Sequence, residues 1–192
     1  QALPGWNIAP ARKILAVIGA GGVRELVGLN WGFVPHWARD LDGPKPINAR
    51  SDTVFEKPMF RDAVRRRRCL VPVDGFYEWK REGSRKQPYY FRLQDGRPFA
   101  LGGIWSVWSE RRGDEEGYTL HTCAILTTAA NALMAPVHDR MPVIVAPENH
   151  EHWLSEAAHG QREIARLFAP FDARAMQAWA VSNRVNRAAN DG

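Results

Sequence analysis

Glu78 is the most informative side chain in this sequence. It lies between Tyr77 and Trp79 in the run Asp74-Gly75-Phe76-Tyr77-Glu78-Trp79-Lys80. A carboxyl group flanked by aromatic rings loses hydration, which suits it to proton transfer near neutral pH. Its ordinary structural role would be that of a half-exposed strand glutamate paired with Lys80 or Arg81. His138 precedes Asp139-Arg140-Met141-Pro142 and a strand. There it can serve as acid or base, with Asp139 or a neighbour fixing its tautomer, or it can simply cap a loop. Asn48, in Ile47-Asn48-Ala49-Arg50, can orient a substrate through its amide or close an Asx-turn. Arg50 and Arg140 can clamp phosphates bidentately or sit in structural ion pairs.

Aromatic and basic residues occur together around two of these positions. Trp37 follows His36 and precedes Arg39, while Trp79 is followed by Lys80. Binders of single-stranded nucleic acid combine aromatic platforms with a positive groove, each stacked base contributing ~1–3 kcal/mol. The ordinary destination of most of the eight tryptophans is the core. The run Arg65–Arg68 reads as the solvated end of a helix, its cations complementing the negative end of the dipole.

The elements that must position these groups are mostly strands. Ile14–Ile18 is an apolar run ended by Gly19-Ala20-Gly21-Gly22, and Val27, Leu29, Trp31 and Phe33 then alternate, which predicts a hairpin. A Pro/Gly-rich loop runs from Pro35 to Asn48. Pro58 is placed in the first turn of a helix with Met59, Phe60, Ala63 and Val64 on one face. Cys69–Val73 and Phe76–Lys80 read as strand around an Asp74-Gly75 turn, followed by Tyr89–Leu93, Phe99–Val107, Tyr118–Leu126 and Met141–Val145. Pro147–Leu154 and Arg162–Phe168 read as short helices. The expected fold class is α+β, with a largely antiparallel, barrel-like β core and short flanking helices.

Other signals are set aside on physical grounds. In Gly19-Ala20-Gly21-Gly22 the third glycine of a dinucleotide fingerprint is replaced by Arg24, and a strand follows where a helix is needed. His150 and His152 would point to different faces of a helix, so they read as solvated histidines and no metal site is expected. No Gly-x-Ser-x-Gly elbow occurs. The two cysteines, Cys69 and Cys123, have neither CxxC nor framework spacing, which fits reduced thiols. Cys69, beside Leu70 and Val71, reads as a core thiol. A thiol peptidase built on Cys69 or Cys123 with His138 would need an exposed, electropositive cysteine.

With 192 residues the chain fits one ordinary domain, and 45% hydrophobic with 24% charged residues is normal for a globular protein. No apolar run is long enough to span a bilayer, and no secretory leader is visible. Excess of 26 basic over 21 acidic residues gives a formal charge of +5, a mild pull toward polyanions.

Taken together, the strings Asn7-Ile8-Ala9-Pro10, Trp31-Gly32-Phe33-Val34-Pro35, Ile47-Asn48-Ala49-Arg50, Asp74-Gly75-Phe76-Tyr77-Glu78-Trp79 and His138-Asp139-Arg140-Met141-Pro142 resemble the SOS response-associated peptidase family, as does the tail Val181-Ser182-Asn183-Arg184-Val185-Asn186. Each string alone is weak, but their order and spacing are specific. The resemblance implies a cytoplasmic, monomeric protein that binds single-stranded DNA with abasic sites, needs no cofactor or metal, and associates with no membrane. It implies that an N-terminal Cys joins its amine and thiol to the sugar aldehyde as a thiazolidine, with an associated self-processing peptidase activity. By the same resemblance Glu78 and His138 carry the proton transfers, Asn48 positions the reacting groups, Arg50 and Arg140 hold phosphates, and Trp37 and Trp79 lie along the DNA path.

The family's Cys-Gly-Arg start does not occur in this sequence, and neither cysteine matches the nucleophile's position. No nucleophile is therefore assigned within residues 1–192, read as a single domain. The chain as given is expected to bind without cross-linking, unless the missing segment belongs to the natural protein. The alternative reading is a non-catalytic module for single-stranded nucleic acid.

Overall fold

Gly21 and Gly22 have φ of 56° and 81°, the left-handed pair that a two-residue hairpin turn requires. They join β1 (Lys13–Ala20) to β2 (Val23–Trp31), which pair antiparallel from Lys13↔Asn30 to Ala20↔Val23. This computed structural model describes residue 5 and residues 7–112, 115–155 and 160–187. Further along are β3 (Asn48–Arg50), α1 (Arg61–Arg66), β4 (Arg68–Val73), β5 (Phe76–Glu82), β6 (Arg85–Leu93), β7 (Phe99–Arg112) and β8 (Glu115–Ala129). The chain then forms β9 (Arg140–Pro142), β10 (Ile144–Val145), α2 (His150–Leu154), α3 (Gln161–Arg166) and β11 (Met176–Ala180).

Strands β7, β4, β1, β2 and β8 follow one another in a single sheet, and a β7–β8 pairing closes them into a ring. The pairings are antiparallel except where β2 and β3 run parallel to β8. A separate three-stranded sheet has the order β11-β6-β5. The fold is thus α+β around a barrel-like, largely antiparallel core.

Alternation along the ring strands divides the core. Ile14, Ala16, Ile18, Leu29, Cys69, Val71, Leu101, Cys123 and Ile125 pack with Phe91 and Met176 of the second sheet. The opposite set, including Leu70, Ile104, Ala124 and Leu126, packs under Ala63 and Val64 of α1, Trp153 and Leu154 of α2, and Ile164 of α3. Each large apolar side chain so buried contributes about 1.5–3 kcal/mol.

Asp74-Gly75 does not close a hairpin between β4 and β5, because those strands belong to different sheets. It carries the chain from one sheet to the other. Gly75 is required there, since a Cβ would lie 2.4 Å from Tyr90 Cζ and 2.5 Å from the Phe91 carbonyl oxygen.

Several sequence expectations shift. Pro58 lies in turns, and the helix begins only at Arg61. Arg68 is not a solvated helix end but the buried first residue of β4. The strand expected over Met141–Val145 splits into β9 on β8 and β10 on β7. Val143 sits between them, its N–H donating to the Leu126 carbonyl while its carbonyl accepts from Gly102. The loop expected to run to Asn48 ends in β3, and β11 was not foreseen.

Candidate functional site

Glu78 sits at the centre of β5, directly opposite Tyr89 of β6. Its side chain is half-buried, and Oε1 accepts the backbone N–H of Trp79 at 3.1 Å. Among the described residues Glu78 pairs with neither Lys80 nor Arg81, and the Lys80 ammonium lies 3.1 Å from Glu82 instead. A cleft of about 510 Å³ opens here, lined by Glu78, Trp79, Arg81, Lys86, Val137, His138 and Asn186. The structure therefore brings Glu78 and His138, sixty residues apart in sequence, to one cavity.

A turn built on Asn131 places the histidine. The Asn131 carboxamide oxygen accepts the N–H groups of Leu133 and Met134 at 3.1 and 2.9 Å, and its amide donates to the Phe171 carbonyl at 2.8 Å. The Met134 carbonyl in turn accepts from His138 N–H at 3.0 Å. His138 Nδ1 accepts the Arg140 N–H at 3.1 Å and lies 3.2 Å from Asp139 Oδ1. Nδ1 is thereby engaged, and Nε2, without a hydrogen bond among the described residues, is the ring atom available for proton transfer. Asn131 was missed in the sequence, where it reads as one more polar residue between strands.

Trp79 and the chain's tail close the other side. Trp79 Nε1 donates to Asn186 Oδ1 at 2.7 Å. Asn7 donates its amide to the Val185 carbonyl at 2.8 Å, so the segment around Asn7 enters the fold beside Asn186. These bonds give the Asn7–Pro10 and Val181–Asn186 strings a common location that neither string shows alone.

The two arginines meet over β8. β3 and β9 both pair with Thr127, on its opposite edges. Asp52 bridges them, with Oδ2 3.0 Å from Arg50 Nη2 and Oδ1 3.2 Å from Arg140 Nη2. Hydrogen bonding from Arg50 holds the Asp52 carboxyl below its ordinary range and raises the Arg50 guanidinium. Arg140 also donates to the Thr127 hydroxyl at 3.1 Å and to the Thr127 carbonyl. Both arginines are in ion pairs, Arg140 largely buried and Arg50 with an exposed side chain.

Asn48 lies on the exposed face of β3 with Arg50, two residues away, while Ala49 points into the core. Its carboxamide forms no Asx-turn and no hydrogen bond among the described residues. It is not part of the cleft lining around Glu78 and His138. Trp37 is exposed, on a loop pinned by Trp108 Nε1 donating to the Ala38 carbonyl at 2.8 Å, and it too lies outside the cleft.

Neither cysteine has the exposed, electropositive setting that a nucleophile needs. Cys69 and Cys123 have no exposed surface. Burial pushes the Cys69 thiol well up, with Cys123 adding to the effect, and pushes Cys123 up to about 12. His150 and His152 are not solvated as expected. Both are half-buried, His150 Nε2 lying 2.9 Å from the Val145 carbonyl and His152 Nε2 3.6 Å from Glu163. Among the described residues no cluster of His, Cys, Asp and Glu could hold a metal ion, and no helix is long and apolar enough to cross a membrane.

Known proteins resemble this chain in sequence and in fold. The abasic site processing protein YoaM of Bacillus subtilis (strain 168) is 42% identical over 190 residues, covering 98% of this chain and 82% of that protein. The abasic site processing protein YedK of Escherichia coli (strain K12) is 32% identical over 189 residues, covering 97% and 81%. A crystal structure of a Bacteroides thetaiotaomicron protein superimposes with a TM-score of 0.85 at 33% identity, over 94% of this chain and 79% of that one. The pattern described as SOS response associated peptidase (SRAP) matches residues 1–188. On these matches the chain belongs to the SOS response associated peptidase family.

Proposed function

We propose that this protein processes abasic sites in single-stranded DNA, with Glu78 and His138 moving protons at the damaged sugar. The observation that carries the reading is the shared cleft, where a carboxyl group, an imidazole and an indole meet two cations. Relatives named abasic site processing proteins support the substrate class. An abasic sugar must open to its aldehyde before an amine can attack, and ring opening needs one proton removed from the anomeric hydroxyl and one delivered to the ring oxygen. A carboxyl and an imidazole facing one cavity are suited to that exchange.

The covalent step follows the family's chemistry. An N-terminal Cys amine, with a pKa of about 8 and so partly neutral, attacks the aldehyde carbon and water leaves. The thiol sulfur then adds to the imine carbon, its proton passes to nitrogen, and a thiazolidine results. That Cys belongs ahead of Asn7 in the family pattern, and the reading is supported by the bond from Asn7 to the Val185 carbonyl, next in sequence to Asn186 of the cleft lining. In this reading Asn48 positions the reacting groups, Arg50 and Arg140 hold the backbone, Trp79 and Trp37 carry bases, and the protein acts as a cytoplasmic monomer of one domain with self-processing peptidase activity.

The test uses the protein with its natural N-terminus and single-stranded DNA carrying one abasic site. A denaturation-resistant adduct is expected with damaged but not intact DNA. Glu78→Gln and His138→Ala should each slow its formation by roughly 10²-fold or more while changing affinity little. No adduct, or equal rates in both variants and the wild type, would remove the reading in favour of a non-catalytic binding module.

A further inference from the structure

The far end of the cleft is built from a like-charged pair. In the β5–β6 hairpin Arg81 stands directly opposite Lys86, beyond the Trp79–Pro88 pair. Trp79 and Arg81 are two residues apart and so share one face of β5, with Pro88 and Lys86 beside them on the same face of β6. Two cations directly opposite each other on antiparallel strands repel and destabilise the pairing. The carboxylate next to Arg81 in sequence, Glu82, is paired with Lys80 at 3.1 Å. Arg81 and Lys86 themselves have no carboxylate partner among the described residues, and both are exposed. An anion seated between them would relieve that repulsion.

The cleft specifies the anion's chemistry. Arg81 and Lys86 line the same cavity as Glu78 and His138. Arg81 lies three residues, or about 10 Å, along β5 from Glu78 and on the other face of that strand, so the cavity reaches both around β5, the edge strand of its sheet. Trp79 comes between Glu78 and Arg81 along β5, and its indole, fixed by Asn186, lines the same cavity. A planar aromatic surface between a proton-transferring pair and a dication matches a polyanion that alternates flat bases with phosphates. An acidic peptide would satisfy the cations but leave the indole unused.

We propose that Arg81 and Lys86 form a backbone-phosphate clamp at the hairpin end of the cleft. It holds the strand on one flank of the reacting sugar while the adjoining base lies against Trp79. This rests on the reading of the cleft as a site for single-stranded DNA, and it adds a contact that none of the sequence motifs contains. It implies that the strand must continue past the lesion toward the hairpin, so that a lesion at that terminus is held less well.

The test is equilibrium binding of a single-stranded oligonucleotide carrying a tetrahydrofuran abasic analogue, which cannot react. Affinity is measured across a salt series for the wild type, Arg81→Gln/Lys86→Gln, and Arg24→Gln on the β1–β2 hairpin as a charge control. Each lost phosphate contact on single strands flattens the log–log salt dependence by about 0.7, so the double variant is expected to flatten it by roughly 1.4 and to bind at least about tenfold more weakly. Arg24→Gln should leave the slope unchanged, and circular dichroism should show the double variant folded with a melting temperature no lower than that of the wild type, since the facing charges repel. A wild-type slope in a folded double variant would overturn the clamp while leaving the proposed function intact. So would dependence on Arg81 and Lys86 for an acidic peptide but not for the oligonucleotide. Failure of the wild type to bind the oligonucleotide would remove the proposed function, and the clamp with it.

Discussion

Asp52 Oδ1 lies 3.2 Å from Arg140 Nη2, joining the turn after β3 to the strand that follows His138. The same carboxylate binds Arg50 at 3.0 Å. One anion therefore holds two cations from motifs ninety residues apart, and fixes where the exposed Arg50 side chain points. Arg140, donating also to Thr127 at 3.1 Å, is the anchored member of the pair.

This relationship has a pH signature. The folded state holds the Asp52 carboxyl below its unfolded value, chiefly through the hydrogen bond from Arg50. Its contribution to stability is therefore fully present above the unfolded pKa of about 3.9 and is lost as pH falls through the lower folded value. The melting-temperature difference between wild type and Asp52→Asn should be constant from neutral pH down to about 5, then shrink toward zero in stronger acid. A difference that grows on acidification would refute the bridge. Half-exposure of the pair keeps the expected effect small.

The thiols give a second expectation. Both are fully buried, and the thiolate is disfavoured in each. In the folded protein neither should be alkylated by iodoacetamide at pH values near 8, while both should react once guanidinium unfolds the chain. Cys123→Ser should leave the rate of adduct formation unchanged, though the added hydroxyl in an apolar site costs stability. Rapid labelling of Cys69 or Cys123 in the native state would restore a peptidase built on an internal cysteine.

Much of the barrel was legible because its strands repeat a local pattern. β1 and β2 alternate in hydrophobicity around Gly21-Gly22, and β4 through β8 carry similar runs separated by Asp-Gly or charged turns. β3 escaped notice because three residues, with Ala49 alone facing inward, make no periodic signal. The candidate site was legible only in pieces. Glu78 and His138 stand out as chemistry in apolar surroundings, but nothing in the sequence singles out Asp52. Its importance comes from a partner eighty-eight positions away. Asn48 and Trp37 show the converse: the family resemblance implies roles for both, yet the Glu78–His138 cleft does not include them.

Asn131 is expected to matter to reaction rate without touching the cleft. Its carboxamide organises the turn that ends in His138 by accepting two N–H groups and donating to Phe171. Asn131→Ala leaves those buried groups unpaired and should cost about 1–3 kcal/mol in urea unfolding. As a positioning residue it should lower the rate of adduct formation at saturating DNA more than it weakens DNA binding. Asn131→Asp, which keeps the acceptor oxygen for Leu133 and Met134, should recover part of the rate. Equal losses of rate and affinity in Asn131→Ala, with no recovery in Asn131→Asp, would reduce it to a purely structural role.

Arg68 offers the sharpest stability test, because a run of four arginines hides one that faces inward. Its Nε donates to the Trp153 carbonyl at 2.8 Å and Nη1 to the Val64 carbonyl at 2.9 Å, with further bonds to the Arg65 and Ser155 carbonyls. These are orphan acceptors at the C-terminal ends of α1 and α2, where a cation also meets the favourable end of each helix dipole. Burial lowers the Arg68 pKa, but the guanidinium stays charged because its ordinary value is so high. Arg68→Met should fill similar space yet strand the carbonyls, lowering unfolding free energy by about 2–4 kcal/mol. Arg68→Lys keeps the charge but not the planar fork, and should recover only part of that loss. Arg65→Met and Arg66→Met, on exposed neighbours, should change it by less than about 0.5 kcal/mol. If all three methionine variants unfold alike, Arg68 does not join the helices to the barrel, and the surface reading of the basic run is restored.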